Sequence, residues 1–239
     1  MSKIVLEPKP TLSKIVFEFR FRPNLNYFSD AFKIASALEG DFDDWRTSHS
    51  PYQAVLYSTD KMELMSITSE NIAVVLEGDY SNDTLFKRLE KAMQLLVIPT
   101  ELQEIRRIGV RQIRVHETNA DFDKVTTKLA EAFSSNYDKH EELALDKVKD
   151  YAFVLDGIKN GFTNHIRFGA VKPEEGVKRF GSSFSTTSKH VTKDSVLLDI
   201  DVFNDELNDV DGLQNSIHPI VEEADRIVKG YTKLITQEL

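Results

Sequence analysis

Ile15, Phe17, Phe19 and Phe21 alternate strictly with Lys14, Val16, Glu18, Arg20 and Arg22. Only an extended strand turns successive side chains to opposite faces, so this run predicts a strand with one face buried and the other charged. Pro23 ends it, because proline brings no N–H to a ladder. A chain that must hide three phenylalanines on one side of a strand needs a sheet with an apolar layer behind it, and the next segment supplies one. Tyr27, Phe28, Ala31, Phe32, Ala35 and Leu38 recur at helical spacing behind Asn24 or Asn26 as caps, and the helix ends near Gly40.

Three β-type runs follow, YQAVLYS, MELMSIT and NIAVVLEG, separated by turn signals around Asp60-Lys61 and Glu70-Asn71. Ser81 or Asn82 then caps a helix carrying Leu85, Phe86, Leu89, Ala92, Met93 and Leu96 on one stripe, with Pro99 beyond it. The order is β-α-β-β-β-α. The remainder repeats it: a strand over 105–116, a helix over 121–135, strands near 151–155, 163–171 and 196–203, and a long C-terminal helix that starts or kinks near Ser216 to Pro219. The expected fold class is therefore α+β, built from two pseudo-repeated β-α-β-β-β-α units with antiparallel sheets covered by helices on one face. The first unit spans 1–100. The second spans 101–239, with charged (138–150) and Gly/Ser/Thr/Lys-rich (172–193) insertions, the latter reading as a mobile loop or irregular hairpin. A shift of 94 residues lays Phe19 on Ile113, Arg20 on Arg114 and Phe21 on Val115. Ile108 and Val110 lie on one parity and Ile113 and Val115 on the other, which a bulge near Gly109 would reconcile.

Composition narrows the functional classes. The 239 residues contain no cysteine, which removes disulfides, thiolate metal sites and thiol nucleophiles. MSKIVLEPKP lacks the apolar core of a secretory signal, and no apolar stretch reaches the roughly 20 residues that span a bilayer, so a cytoplasmic location and no membrane partner are expected. A formal net charge of −9 disfavours nucleic acid. The run RRIGVRQIRVH places four arginines within nine residues but lacks the interleaved aromatics of a single-strand binder. The six histidines show no metal-ligand spacing, and GxSxG, GxxxxGK and GxGxxG are all absent.

One cluster remains. Arg20 and Arg22 occupy the charged side of the first strand, Arg107, Arg111 and Arg114 belong to the basic run, and Glu18, Glu77, Asp199 and Asp201 fall on the polar parity of their own strands. Sharing one surface, they form cross-strand ion pairs, a ligand floor or a protein interface. In the second case the arginines fork onto an anion, and Asp199 and Asp201, with Glu18, hold a hard cation such as magnesium. Phe180 and Phe184 in the 172–193 insertion either anchor a partner or tuck the loop down.

The motifs FEFRFRP (17–23), RIGVRQIRV (107–115) and LLDIDVF (197–203), with a closing helix bearing His218, resemble a sporadically distributed prokaryotic family of uncharacterised proteins of similar length. In that family the middle motif reads like RxGLRYIN. Arg107, Gly109 and Arg111 match it, whereas Gln112, Arg114 and Val115 depart from it. Such scattered distribution implies an accessory, defence-type role exercised through partners. Two functions are expected. One is a non-enzymatic binding or interaction protein without cofactor, engaging another protein or a second copy of itself. The alternative is a magnesium-dependent enzyme or binder acting on a phosphorylated small molecule or nucleotide.

Overall fold

The computed structural model describes residues 3–23, 33, 35–49, 52–94, 104–134, 148–184, 191–205 and 210–239. The described strands are β1 (Leu12–Phe21), β2 (Asp44–His49), β3 (Tyr52–Ser58), β4 (Glu63–Thr68), β5 (Asn71–Glu77), β6 (Ile105–Glu117), β7 (Ala152–Lys159), β8 (Phe162–Val171) and β9 (Ser195–Asn204). They form one antiparallel sheet in the order β2-β3-β4-β5-β1-β6-β9-β8-β7. The longest strands lie at its centre. The helices are α1 (Asn82–Ala92), α2 (Phe122–Phe133), α3 (Pro173–Phe180) and α4 (Val210–Glu238), with a short 3-10 turn at Glu39–Asp41. No described helix is long and apolar enough to cross a membrane.

Alternation in β1 decides what the sheet buries. Ile15, Phe17, Phe19 and Phe21 are all at most 2% exposed. They share one cluster with Ile72, Val74 and Leu76 of β5, Ile108 and Val110 of β6, and Val196, Leu198, Ile200 and Val202 of β9. Leu85 and Leu89 of α1, Val125 and Leu129 of α2, and Ile220, Val221, Ala224 and Val228 of α4 complete it from the helical side. Full burial of each such side chain contributes about 1.5–3 kcal/mol, so this inner face is the main source of stability.

Among the described residues, the opposite face is covered at one end only. There Leu12, Ile113, Val115, Val171 and Leu197 form a second cluster beneath Phe180 and Val177 of α3. Both parities of β6 thus contribute buried residues, to different clusters. No bulge at Gly109 is needed: Glu18 pairs directly with Gly109, and the register shift falls between Arg20 and Phe21, where Arg106 is the extra residue.

Other departures have similarly local causes. Segment 172–193 is not a loop throughout, because α3 occupies its first part. Pro173 pre-sets the first turn and Gly181 takes the left-handed conformation that terminates it, with φ of 59°. This helix packs on the second cluster and not on the main one, so the described helices do not all lie on one face. Strand β2 carries no apolar alternation because it sits at the sheet edge. Helix α4 begins at Val210 and contains Pro219 in its interior, so it does not start at the proline. Of the helix expected over 27–38, residues 35–38 are helical, with Ala35 and Leu38 buried; the rest, like most of 138–150, lies outside the described residues.

His116, at the end of β6, is 2% exposed. Its Nδ1 lies 2.9 Å from the Glu7 carbonyl, which can only accept, so Nδ1 carries the proton; Nε2 has no partner among the described residues. Burial, aided by the nearby charge of Arg114, pushes its pKa below the ordinary 6.5. The unfolded chain then binds the proton more readily than the fold does. Stability contributed here is complete above 6.5 and falls as the pH drops through that value toward the lowered one. Melting temperature recorded between about pH 7.5 and 5.5 should decline more steeply in the natural protein than in His116→Gln; parallel curves would show that His116 takes no part.

Candidate functional site on the open sheet face

The register of the central strands assembles the site. Lys14, Val16, Glu18 and Arg20 of β1 stand opposite Ile113, Arg111, Gly109 and Arg107 of β6. On the far side of β6, Ile113 and Arg111 pair with Asp199 and Asp201 of β9. In an antiparallel sheet directly paired residues share a face, so Glu18, Arg20, Arg107, Arg111, Asp199 and Asp201 all emerge together. Of the predicted set, these six are brought into one place.

Each carboxylate among them is engaged. Glu18 accepts from Nε and Nη2 of Arg20 at 3.0 and 2.8 Å. Asp199 accepts from Nε and Nη2 of Arg111 at 2.8 and 2.7 Å. Asp201 accepts from Nη2 of Arg107 at 2.7 Å. To make that reach Arg107 crosses the position of Gly109, and its guanidinium carbon lies 3.9 Å from the centre of the Phe203 ring. A Cβ at Gly109 would meet Arg107 Nε and Phe203 Cβ at 3.3 Å each. Here, then, is the physical role of the R-x-G-x-R spacing: two arginines on one face with a glycine between them leave a hollow into which the first can lie. The hydrogen bonds they donate to Glu18 and Asp199 hold the Arg20 and Arg111 guanidiniums still more firmly protonated than usual.

Above the hollow is a cleft of 380 Å³ lined by Lys14, Glu18, Arg20, Arg107, Arg111 and Asp201, with Arg179, Phe180 and Gly181 of the α3 end forming its rim. A second groove of 500 Å³ continues from it past Glu70, Asn71, Arg106 and Asp205. Arg20 and Arg107 line both and form the saddle between them. They are also direct cross-strand partners, a like-charge juxtaposition that disfavours pairing by a few tenths of a kcal/mol to about 1 kcal/mol.

Two predicted members lie elsewhere. Arg114 is a correction: Ser13 is its partner on β1, so it belongs to the inner face. There Arg114 Nη2 donates to Oε1 of buried Gln112, whose Nε2 donates to Asp225 of α4; Asn82 at the start of α1 donates to the same carboxylate. It joins strand to helices and cannot meet Arg20. Arg22 lies past the end of β1, where it pairs with Glu104 at 2.8 Å, and it does not line the cleft.

Glu77 is on the open face but covered. It accepts from Ser182 Oγ at 2.6 Å and the Ser183 amide at 2.7 Å, with Lys14 Nζ 3.3 Å away. Lys14 also donates to the Gly181 carbonyl at 2.7 Å. Both side chains are nearly excluded from water, and together they fasten the end of α3 over the sheet. Phe180 and Phe184 are 1% and 6% exposed, tucked beneath this turn. The contributions of Lys14, Arg179 and Gly181 to the cleft were missed. Lys14 shares the parity of Glu18 and was accessible to pattern reading; the α3 residues carry no local signal of where they dock.

With this geometry in hand, comparison with protein-family models and with curated proteins finds no match.

Removing one member of a buried pair leaves the other charge stranded, at about 3–5 kcal/mol. Glu77→Ala should therefore loosen α3, and trypsin should cut after Lys178 or Arg179 faster than in the natural protein; unchanged cleavage would show that the pair is not what holds the helix.

Proposed function

We propose that the protein is a non-enzymatic binding module that presents this sheet face to another protein or to a second copy of itself, as an accessory component of a prokaryotic defence-type system working in the cytoplasm. The observation that carries the reading is the state of the carboxylates. Glu18, Asp199 and Asp201 each accept hydrogen bonds from a guanidinium, which suits them to hold recognition groups in place more than to move protons. The shape agrees, since two grooves that share Arg20 and Arg107 offer an extended surface.

A finer architecture belongs to the same proposal: two β-α-β-β-β-α units, 1–100 and 101–239, fused edge to edge. The strand order β1-β5-β4-β3 on one side and β6-β9-β8-β7 on the other supports it, because each series places its first strand beside its last. The experiment is light scattering after size exclusion, with capture from native lysate using the natural protein and Arg107→Glu as baits. A self-complex or a specific partner lost on charge reversal is expected. A strict monomer whose retained proteins are unaffected by Arg107→Glu would refute the reading.

The second reading, a magnesium-dependent binder or enzyme for a phosphorylated small molecule, is favoured by one feature. Asp199 and Asp201 stand two residues apart on one face of β9, beside Arg111 and Arg107. Under it, magnesium with a nucleotide or polyphosphate raises the melting temperature and Asp199→Asn abolishes the rise; no rise with either ligand removes it.

A further inference from the structure

Resting on the reading of the open face as the binding face, we infer that the Arg20–Arg107 saddle recognises a phosphoryl group, directly and without a metal. A guanidinium carries five N–H donors. Arg20 commits Nε and Nη2 to Glu18, and Arg111 commits the same edge to Asp199. What remains on each is the Nη1 group and the second hydrogen of Nη2. Arg107 gives Nη2 to Asp201 while its plane is pinned on Phe203. Three cations are thus oriented in advance by three acids, and each keeps donors to spare. Arg20 and Arg111 remain 50% exposed after pairing, so those donors face solvent in the cleft.

The positions of the three define the ligand. Arg20 and Arg107 are direct cross-strand partners, Arg111 follows Arg107 by four residues along β6, and Gly109 midway between them removes the side chain that would fill the middle. A carboxylate satisfies one guanidinium edge and carries one charge. A phosphoryl group brings a charge of about −1.5 to −2 and three acceptor oxygens, enough to meet both guanidiniums of the saddle and to relieve the Arg20–Arg107 repulsion. The 380 Å³ cleft on one side of the saddle and the 500 Å³ groove on the other leave room for whatever the phosphoryl group is attached to. Asp201 and Glu18 serve here as positioning residues and do not themselves contact the anion.

Titration calorimetry of the full chain in EDTA at low salt tests this, with inorganic pyrophosphate in one arm and a phosphoserine peptide beside its unphosphorylated twin in the other. Saturable binding of pyrophosphate or of the phosphopeptide is expected, and the tighter arm names the source of the group. Arg20→Gln and Arg107→Gln should each weaken it by about tenfold or more, while Arg22→Gln, outside the cleft, should leave it intact. Gly109→Ala keeps every charge but intrudes on Arg107, so it should weaken binding as well; circular dichroism and melting of each variant separate this from loss of fold. No saturation in either arm, binding that appears only when magnesium is supplied, or equal affinities in Arg22→Gln and Arg107→Gln would overturn the inference. Its failure differs from failure of the interaction reading, because a partner lost on Arg107→Glu without saturable phosphoryl binding in either arm keeps the latter alone, whereas phosphoryl binding by a strict monomer whose retained proteins are unaffected by that reversal keeps only the former.

Discussion

The antiparallel pairing of β1 with β6 is the constraint from which the rest follows. These two strands sit at the centre of the sheet, and their register, with Val16 opposite Arg111 and Phe17 opposite Val110, decides the contents of both faces at once. Since side chains alternate with a period of two, a slip of one residue would send Phe17 and Phe19 to the open side and bury Glu18 and Arg20 among apolar neighbours. Hydrophobic burial under α1, α2 and α4 thus fixes the phase, and the charged face inherits its arrangement from a decision made on the other side of the sheet.

That inheritance explains why the open face looks as it does. Isolated, exposed ion pairs contribute little to stability, with typical values below about 1 kcal/mol. Arg20 with Glu18, Arg111 with Asp199 and Arg107 with Asp201 are therefore weak as fastenings. They are more informative as orienting contacts, because each acid fixes one edge of a guanidinium and so selects the direction of the other. The strong fastening nearby is of another kind. Lys14 and Glu77 are withdrawn from water, share hydrogen bonds with the turn after α3 and, with Phe180 and Phe184, close one end of the face. The α3 end forms one wall of the cleft, and among the described residues the remainder of the face is uncovered.

Much of this could be read along the chain. The strands over 52–78, the helix capped by Ser81, the helix beginning after Asp121 and the parities of Glu18, Arg20, Asp199 and Asp201 all follow from local periodicity and capping. Arg114 marks the boundary. Matching the halves by an offset of 94 equated Arg20 with Arg114, an even-numbered residue of β6, whereas the pairing of Arg20 with Arg107 places it among the odd-numbered ones. An error of one position in an offset between distant segments reverses a face, and nothing local in RRIGVRQIRVH fixes that offset. Both parities of this strand are partly apolar, because Val110 packs beneath helices and Ile113 beneath α3.

The sequence by itself determined the class of elements, their order, and which side chains of each strand travel together, since these depend on contacts within a few residues. Tertiary structure alone decided that β1 meets β6 in this register, that α3 crosses to the open face, and that Gly109 becomes a hollow between two arginines instead of a bulge. Those outcomes arise from contacts between residues far apart in the chain, such as Glu18 with Gly109 and Phe180 with Val115, where the free energy depends on how whole faces fit together and no short window of residues carries the sum.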